Sequence, residues 1–331
     1  MRRNVERGAG LLLVLLISFL AATPSATRSQ TAEPTADERL LANLRADRPV
    51  QALYQLEALA LGQGWTTSNL LLAGDLWLEL GDVGRAVAYW EAALTPDADA
   101  SLLRKLAEGY IQLQQWTEAT IALNQLLDAA PSDAWAHYQL GLLQSYADLA
   151  SAAVHLRAAA RNPIYQPISE ALLNLAVDAD LAVTALQSGL VLAANDLWPQ
   201  AEAAFTYAAA LGAPYPEALA YAGLARDQQG KDGGDQIARA VALGPQIGLV
   251  RYLEGLHYRL NGDDTASIVA LLLAVELEPQ NPAYAAELGA AYQQSGDFPQ
   301  AQFWLQQALT LSGGDPRFQD LLDQLNAQFG A

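Results

Sequence analysis

The chain has 331 residues and no cysteine, so disulfides, thiolate metal sites and cysteine nucleophiles are excluded. Its 18 Lys and Arg residues against 36 Asp and Glu residues give a formal net charge of -18, which opposes binding to a nucleic-acid backbone. The hydrophobic content of 52% is too high for a disordered acidic chain, and the length exceeds what one core usually organises. Several domains or a repeat array are therefore expected.

The N-terminal segment has the composition of an export signal. Three arginines among the first seven residues precede an apolar run over 11–22, which small and turn-forming residues follow. The apolar run is shorter than the roughly 20 residues of a spanning helix, but the uncharged stretch 8–27 is 20 residues long. We therefore expect residues 1–26 to be a cleaved signal peptide or an N-terminal membrane anchor. Residues 27–36 are polar and predict a flexible tether, and the body of the protein is expected to be exported.

A 34-residue offset recurs along the rest of the chain. Superposing 282–315 on 248–281 aligns four pairs of residues, which are Gly255 with Gly289, Tyr258 with Tyr292, Gly262 with Gly296, and Ala274 with Ala308. Apolar residues inside each unit follow helical spacing, whereas the alternation of a β-strand is not sustained. This period is typical of stacked helix–turn–helix units.

Each unit also carries turn and crossing signals. A Gly or Asn followed by Asp marks the turn and supplies a cap for the next helix, at Gly81-Asp82, Asn195-Asp196, Gly262-Asp263 and Gly296-Asp297. Small residues are expected where the two helices cross, with a large residue one turn later, as in Ala86 and Trp90, Ala119 and Leu123, Ala201 and Phe205, and Ala301 and Leu305. Four further aromatic residues are assigned to the core, namely Trp77, Tyr110, Tyr258 and Tyr292.

From about residue 67 to 315 this pattern resembles the tetratricopeptide repeat (TPR) family. Residues 282–315 follow the family pattern most closely, with Leu288, Gly289, Tyr292, Gly296, Ala301, Leu305 and Ala308. The unit 216–247 departs most, because Gly230–Asp235 takes up part of its second helix and predicts a shortened helix there. The resemblance implies an all-α fold, a right-handed superhelical solenoid of stacked antiparallel helix pairs.

The irregularities of the repeat divide the chain. We expect N-terminal TPR-like repeats over 37–163, an inserted helix and hinge over 164–180, C-terminal TPR-like repeats over 181–315, and a capping helix over 316–331. Within the first of these, Thr35 to Glu38 forms a capping box that opens a short helix, and 49–61 forms a second helix. Together these two helices predict a divergent first repeat.

The sequence predicts no catalytic, cofactor or metal residues, so the protein is not expected to be an enzyme. Its three histidines, at 137, 155 and 257, fall in separate repeats and lack the spacing of a zinc protease. Gly230–Asp235 follows a helix and lacks the ending of a phosphate loop. A hydrolase of envelope polymers would need an acid–base pair such as Asp75 with Glu79, but two acids at this spacing are ordinary on a solvated helix face.

The resemblance implies that the concave face, lined by the first helix of each repeat, binds a protein or peptide. Projecting that geometry selects eight groove residues, which are Arg104, Lys105, Trp135, Tyr138, Tyr146, Tyr221, Tyr252 and Arg259. Arg104 and Lys105 either anchor a partner's carboxylate or balance nearby acids. Trp135, Tyr138 and Tyr146 either form a partner surface or fill the space between repeats.

The predicted function is an exported, non-catalytic scaffold that binds a protein or peptide partner. It needs no cofactor or metal, and it does not bind nucleic acid. It contacts the membrane only through the N-terminal segment, if that segment is uncleaved. The alternatives are a membrane-anchored structural or assembly subunit of an envelope complex and, as a different class, the hydrolase.

Overall fold

The computed structural model describes residues 35–175, 180–211 and 215–329. These ranges contain eighteen α-helices and no β-strand. The helices are α1 (Ala36–Arg45), α2 (Pro49–Gln63), α3 (Thr67–Glu79), α4 (Val83–Ala92), α5 (Ala100–Gln112), α6 (Trp116–Ala129), α7 (Ala134–Gln144), α8 (Leu149–Ala159), α9 (Gln166–Leu173), α10 (Leu181–Ala193), α11 (Trp198–Ala210), α12 (Pro216–Asp227), α13 (Gly234–Leu243), α14 (Gly248–Leu260), α15 (Asp264–Leu277), α16 (Pro282–Ser295), α17 (Phe298–Leu311) and α18 (Pro316–Phe329). None of the described helices is both long enough and apolar enough to cross a membrane. The predicted signal or anchor, and residues 27–34 of the tether, lie outside the described residues.

The chain divides into two compact units, the first of which ends at Trp65. In this unit the capping box is confirmed, because the Thr35 hydroxyl accepts from the Glu38 N–H (3.2 Å) and the Glu38 carboxylate accepts from the Thr35 N–H (2.8 Å). Helix α1 therefore begins at Ala36, the last residue assigned to the tether. Helices α1 and α2 pack against each other, and they bury Leu40 and Leu56.

The second unit begins at Thr66 and is an array of helix pairs. The pairs are α3/α4, α5/α6, α7/α8, α10/α11, α12/α13, α14/α15 and α16/α17, and each pair packs on the next one along the chain. Helix α9 lies between the third and fourth pairs, and α18 packs on α17. This confirms the all-α class of stacked antiparallel helix pairs.

Small residues allow the two helices of a pair to approach closely. All four predicted crossing alanines are fully buried, and the large residues one turn later, including Trp90 and Phe205, are at most 2% exposed. Glycines of the first helices complete the contact from the other side. A Cβ added to Gly74 would lie 2.3 Å from Trp90 Nε1, and one added to Gly255 would lie 2.5 Å from Leu271 Cγ. Any larger side chain at these glycines would push the pair apart.

The turn inside a pair repeatedly uses a residue in the left-handed region. This residue is Gly81, Gly230, Gly262 or Gly296 in four pairs, but it is Gln114 in α5/α6 and Asp196 in α10/α11. Asp82, Asp263 and Asp297 cap the following helix as predicted. The prediction was wrong at Asn195-Asp196, where α11 begins without a side-chain cap. Asp196 instead takes the left-handed position with φ 58°.

The four aromatic residues assigned to the core are only half-buried. Trp77 is covered by the Arg85 guanidinium, 4.2 Å from the ring centroid, and the Tyr110 hydroxyl donates to the Glu91 carboxylate (2.7 Å). Alanine and leucine fill the interior of each pair. Trp77 and Tyr110 therefore lie at the rim of the core, where the Tyr110 hydroxyl bonds to a surface carboxylate and the Trp77 Nε1 is buried without a partner among the described residues.

The predicted irregularities are present as helices. Helix α13 has 10 residues where α15 and α17 have 14, so the shortened helix is confirmed. The inserted helix is α9, and its Leu172 is fully buried in a core shared with α7 and α8. The hinge role of 164–180 stays a prediction. The C-terminal cap is α18, whose Leu322 and Leu325 are buried next to α17.

Candidate binding site

The candidate site lies on one face of successive first helices. In each repeat, the angular position around the first helix is measured from the small residue that contacts the second helix, for example Ala107, Gly141, Gly223 or Gly255. At about 100° per residue, seven of the eight predicted groove residues fall between about 40° and 160° around their helices from that contact, and Tyr146 lies in the turn after α7. We call these eight residues, together with Glu108, Gln139, Leu142 and Leu190, the first-helix face.

Arg104 and Lys105 are both ion-paired to neighbouring repeats. The Lys105 Nζ lies 2.5 Å and 2.7 Å from the two carboxylate oxygens of Asp75 on α3, which also accepts from Trp90 Nε1 (3.2 Å). Arg104 on α5 pairs with Asp133, the N-cap of α7, and lies over the Trp135 ring at 4.6 Å from its centroid. The arrangement supports the interpretation in which these cations balance nearby acids. An anionic partner would have to displace a carboxylate from each.

Glu108 lies one turn beyond Arg104 on the same helix. Its side chain is exposed, yet burial by the surrounding protein raises the pKa of its carboxyl, and Arg104 and Lys105 offset only part of this increase. Glu108 therefore adds to this face a carboxyl that is close to both cations.

The four predicted tyrosines each contact an aromatic ring of another segment, and all but the tilted pair of Tyr146 and Tyr207 are stacked. Tyr138 lies 4.6 Å from Tyr165, Tyr146 lies 5.7 Å from Tyr207, Tyr221 lies 5.1 Å from Phe205, and Tyr252 lies 4.8 Å from Tyr284, measured between ring centroids. Only Tyr138 is buried, at 7% exposure, so packing is its role. The other three tyrosines and Trp135 keep part of their surface exposed.

The phenol groups on this face are neutral at physiological pH. Burial, with a smaller effect of Tyr165, raises the pKa of Tyr138 to about 12. Burial also raises the pKa of Tyr146, Tyr221 and Tyr252. Neutral hydroxyls donate hydrogen bonds, and their rings offer flat apolar surface. The face can therefore hold a peptide by stacking and by hydrogen bonds to its carbonyl groups.

Sequence reasoning missed part of this face. The Gln139 Oε1 is buried and has no hydrogen-bond partner in the described structure, and it occupies the helix position that Lys105 and Tyr221 occupy in their repeats. The register alone would have identified it. Arg259, the eighth predicted residue, pairs with Glu287 of α16 (3.0 Å), while its Nε is buried without a partner among the described residues.

The histidines are not in separate repeats as expected. His137 on α7 and His155 on α8 belong to one helix pair, and their Nδ1 atoms are 2.9 Å apart. His137 Nε2 lies 3.1 Å from the Pro131 carbonyl oxygen and is therefore the protonated nitrogen, so a neutral His137 accepts at Nδ1 from His155. Groups of three or more potential metal ligands are absent from the described ranges.

The third histidine pairs with a buried acid. His257 Nδ1 on α14 lies 2.7 Å from Asp227 Oδ2 at the end of α12, and the Asp227 side chain is only 1% exposed. Asp227 Oδ1 accepts from the Gly233 N–H (3.1 Å) and from the Asn261 amide (3.3 Å). These contacts tie the irregular turn 230–235 to the next repeat. The acid and the histidine are 30 residues apart, so no local motif indicates the pair.

The acids required for a hydrolase do not form a free pair. The Asp75 carboxylate accepts hydrogen bonds from Lys105 and from Trp90 Nε1, so it is already engaged between repeats. The geometry thus gives Asp75 a structural role between α3 and α5.

Comparison with known proteins gives only distant structural likenesses. No protein-family model and no curated protein match the chain. Among solved structures it is similar to a tetratricopeptide repeat protein from Parabacteroides merdae, with 12% identity over 88% of this chain and 97% of that chain, at a TM-score of 0.38. It is also similar to a chain of the APC/C hetero-tetramer Cut9-Hcn1 (18% identity, 89% of this chain, 61% of that chain, TM-score 0.40). A further similar structure is YrrB, a TPR protein with an unusual peptide-binding site (16% identity, 60% of this chain, 97% of that chain, TM-score 0.36). The fold assignment rests on the repeated helix pairs of this chain itself.

Proposed function

We propose that the protein is a non-catalytic scaffold that binds a protein or peptide segment along the first-helix face. The observation that carries the proposal is the partial exposure of Trp135, Tyr221 and Tyr252 on first helices, and of Tyr146 in the turn after α7, beside cores that alanine and leucine already fill. Exposed aromatic rings that stand on a rigid framework are the side chains that most often anchor a partner.

The chemistry of this face favours a segment with apolar side chains and free carbonyl groups over an acidic one. Arg104, Lys105 and Arg259 already have carboxylate partners, and residues 66–331 carry 30 acidic against 11 basic residues. An acidic segment would meet repulsion and would have to break existing ion pairs. A neutral or basic segment would meet neither cost.

The test is selection from a random-peptide library on the purified protein. Peptides that bind through the proposed face should lose at least tenfold in affinity to a Tyr146→Ala plus Tyr221→Ala variant, because loss of an aromatic anchor costs about 2 kcal/mol or more. Phe303→Ala is the matched control, since Phe303 is 52% exposed but lies on α17, a second helix. Failure to select any peptide, or equal binding to the folded double variant, would contradict the proposal.

We also propose that the scaffold acts outside the cytoplasm, as a secreted protein or as a subunit held to the membrane by its N-terminal segment. The support is the apolar run 11–22 behind three arginines. Cell fractionation and N-terminal sequencing of the mature protein distinguish the two forms. A mature N-terminus near Thr27 indicates cleavage, an intact Met1 in the membrane fraction indicates an anchor, and an intact chain in the cytosol rejects export.

A further inference from the structure

The turn after α5 touches the turn after α12, although the two turns are more than 100 residues apart. The Gln114 amide nitrogen donates to the Gln229 side-chain oxygen (2.7 Å), and the Lys231 ammonium donates to the Gln114 side-chain oxygen (2.7 Å). Helices α6 to α12 lie between these turns in the chain. The contact therefore closes the central part of the array into a loop.

A carboxylate of a third element completes the contact. Glu202 on α11 accepts from Gln229 (2.8 Å), Lys231 (3.2 Å) and Arg226 (2.9 Å). Burial acts to raise the pKa of Glu202, but these hydrogen bonds outweigh it and lower the pKa. The carboxylate is thus charged at neutral pH and holds Gln229 and Lys231 in the position that meets Gln114.

The backbone at Gln114 is unusual for its residue type. Gln114 has φ 58°, at the turn position where Gly81, Gly262 and Gly296 stand in other repeats. Glycine adopts this conformation without strain, whereas glutamine does so at a cost. A strained residue whose side chain makes both bonds of a cross-array contact points to a selected role for that side chain.

The contact is polar, and separate apolar cores lie on its two sides. The core that contains α5 and α6 extends to α3, α4 and α7, whereas Ile237 and Ala240 of α13 pack with α12 and α14. The Lys231 side chain is 35% exposed, so water can replace its bonds. A contact of this kind can break and re-form without unfolding either side.

We propose that Gln114, Gln229 and Lys231 form a reversible latch that controls access to the first-helix face between α5 and α12. In the closed state the two turns are joined. Release lets the repeats on either side separate, so that a segment can enter. The gating role rests on the proposed function, but the existence of the latch does not.

The latch can be tested by distance measurement, because the chain has no cysteine of its own. Cysteines that replace Ile121 on α6 and Ala238 on α13, both exposed, carry nitroxide labels for double electron–electron resonance. The parent should give one narrow distance distribution. Lys231→Ala should shift it to longer distances and broaden it, while Lys231→Arg, which keeps a charged donor, should leave it narrow.

Gln114→Gly separates latch loss from damage to the fold. It removes both bonds to the opposite turn but relieves the left-handed backbone, so the melting temperature should not fall while the distance distribution broadens. Arg251→Ala is the matched control, because it breaks an ion pair to Glu254 and a hydrogen bond to the nearby Pro245 carbonyl oxygen, neither of which touches the latch, and should leave the distances unchanged. Parent-like distances in both Gln114→Gly and Lys231→Ala would overturn the latch.

Access is measured separately with a single cysteine at Leu190, which lies on the first-helix face of α10 and is 38% exposed. Gln114→Gly should speed its modification by a polyethylene-glycol maleimide several-fold, with no change for the small reagent iodoacetamide. If the distances lengthen but the modification is not faster, the latch exists but does not control access to the face. Neither measurement uses a partner, so failure of the latch can be distinguished from failure of the proposed peptide binding.

Discussion

The pair α12/α13 and the pair α14/α15 are neighbours in the array, but they are stabilised in different ways. In α14/α15 a glycine turn leads into an Asp263 cap and a 14-residue helix, and Gly255 packs against Leu271. In α12/α13 the second helix is four residues shorter and begins without a side-chain cap. The residues that would extend α13 instead form the turn 230–233, and its polar groups contact other repeats.

The difference shows where a repeat protein can carry specific contacts. In a regular pair the recurring spacing serves packing between the two helices and with the adjacent repeats, so the stability of the pair is a sum of local terms. The irregular pair gives up part of a helix and gains three long-range polar contacts, to Gln114, to Glu202 and to His257. Polar contacts between adjacent repeats, such as Lys105 with Asp75, occur in regular pairs as well, but the contact that reaches beyond adjacent repeats, from Lys231 to Gln114, starts from the irregular pair.

The largest expected effect is the loss of packing in the regular pair. Leu271 is fully buried against Gly255, so Leu271→Ala should reduce the free energy of unfolding by about 2–5 kcal/mol, measured by urea denaturation. Hydrogen exchange should locate the loss in α14 to α16. Leu272→Ala is the control, because Leu272 is 38% exposed on the same helix and should change stability by less than about 0.5 kcal/mol. Equal losses for the two variants would contradict the packing assignment.

Much of this architecture follows from the sequence because packing in a pair is local. The 34-residue offset, the crossing alanines and the Thr35 capping box all depend on residues close in sequence, and the structure confirms them. Contacts between repeats depend instead on the rotation of each helix pair relative to the preceding pair. For that reason the Gln114 contact and the His257 pair carry no sequence signal, and the partners of Arg104 were not anticipated.

The first-helix face was also only partly predictable from the sequence. Its helix positions were predictable from the register, which also accounts for Gln139. The exposure of those residues was not predictable, because Tyr138 is covered by Tyr165 from the inserted segment before α9. The insertion that interrupts the period thus changes the chemistry of the face beside it.

A smaller effect is expected when the polar centre of the irregular pair is removed. Asp227→Ala leaves the Gly233 N–H, the His257 ring and the Asn261 amide without their acceptor, so it should cost about 1–3 kcal/mol. Hydrogen exchange should show lost protection in α13 and in the last turn of α14, with α16 and α17 unchanged. Asp235→Ala is the control, because Asp235 is exposed in the first turn of α13. A uniform loss over the whole array would show that Asp227 does not act at this one junction.

The smallest effect is a pH dependence confined to the pair α7/α8. Burial lowers the pKa of His155, and the nearby His137 lowers it further. The unfolded chain therefore binds a proton at His155 near its ordinary pKa of about 6.5, while the folded chain resists it, so stability should fall as the pH drops below about 6.5. Hydrogen exchange corrected for its intrinsic pH dependence should show α7 and α8 opening more readily at pH 5 than at pH 7. His155→Gln should reduce that change, because it removes the titrating group and leaves an amide that can still bond to His137. An unchanged pH dependence in this variant, or greater protection at pH 5 in the parent, would show that protonation of His155 does not destabilise this pair.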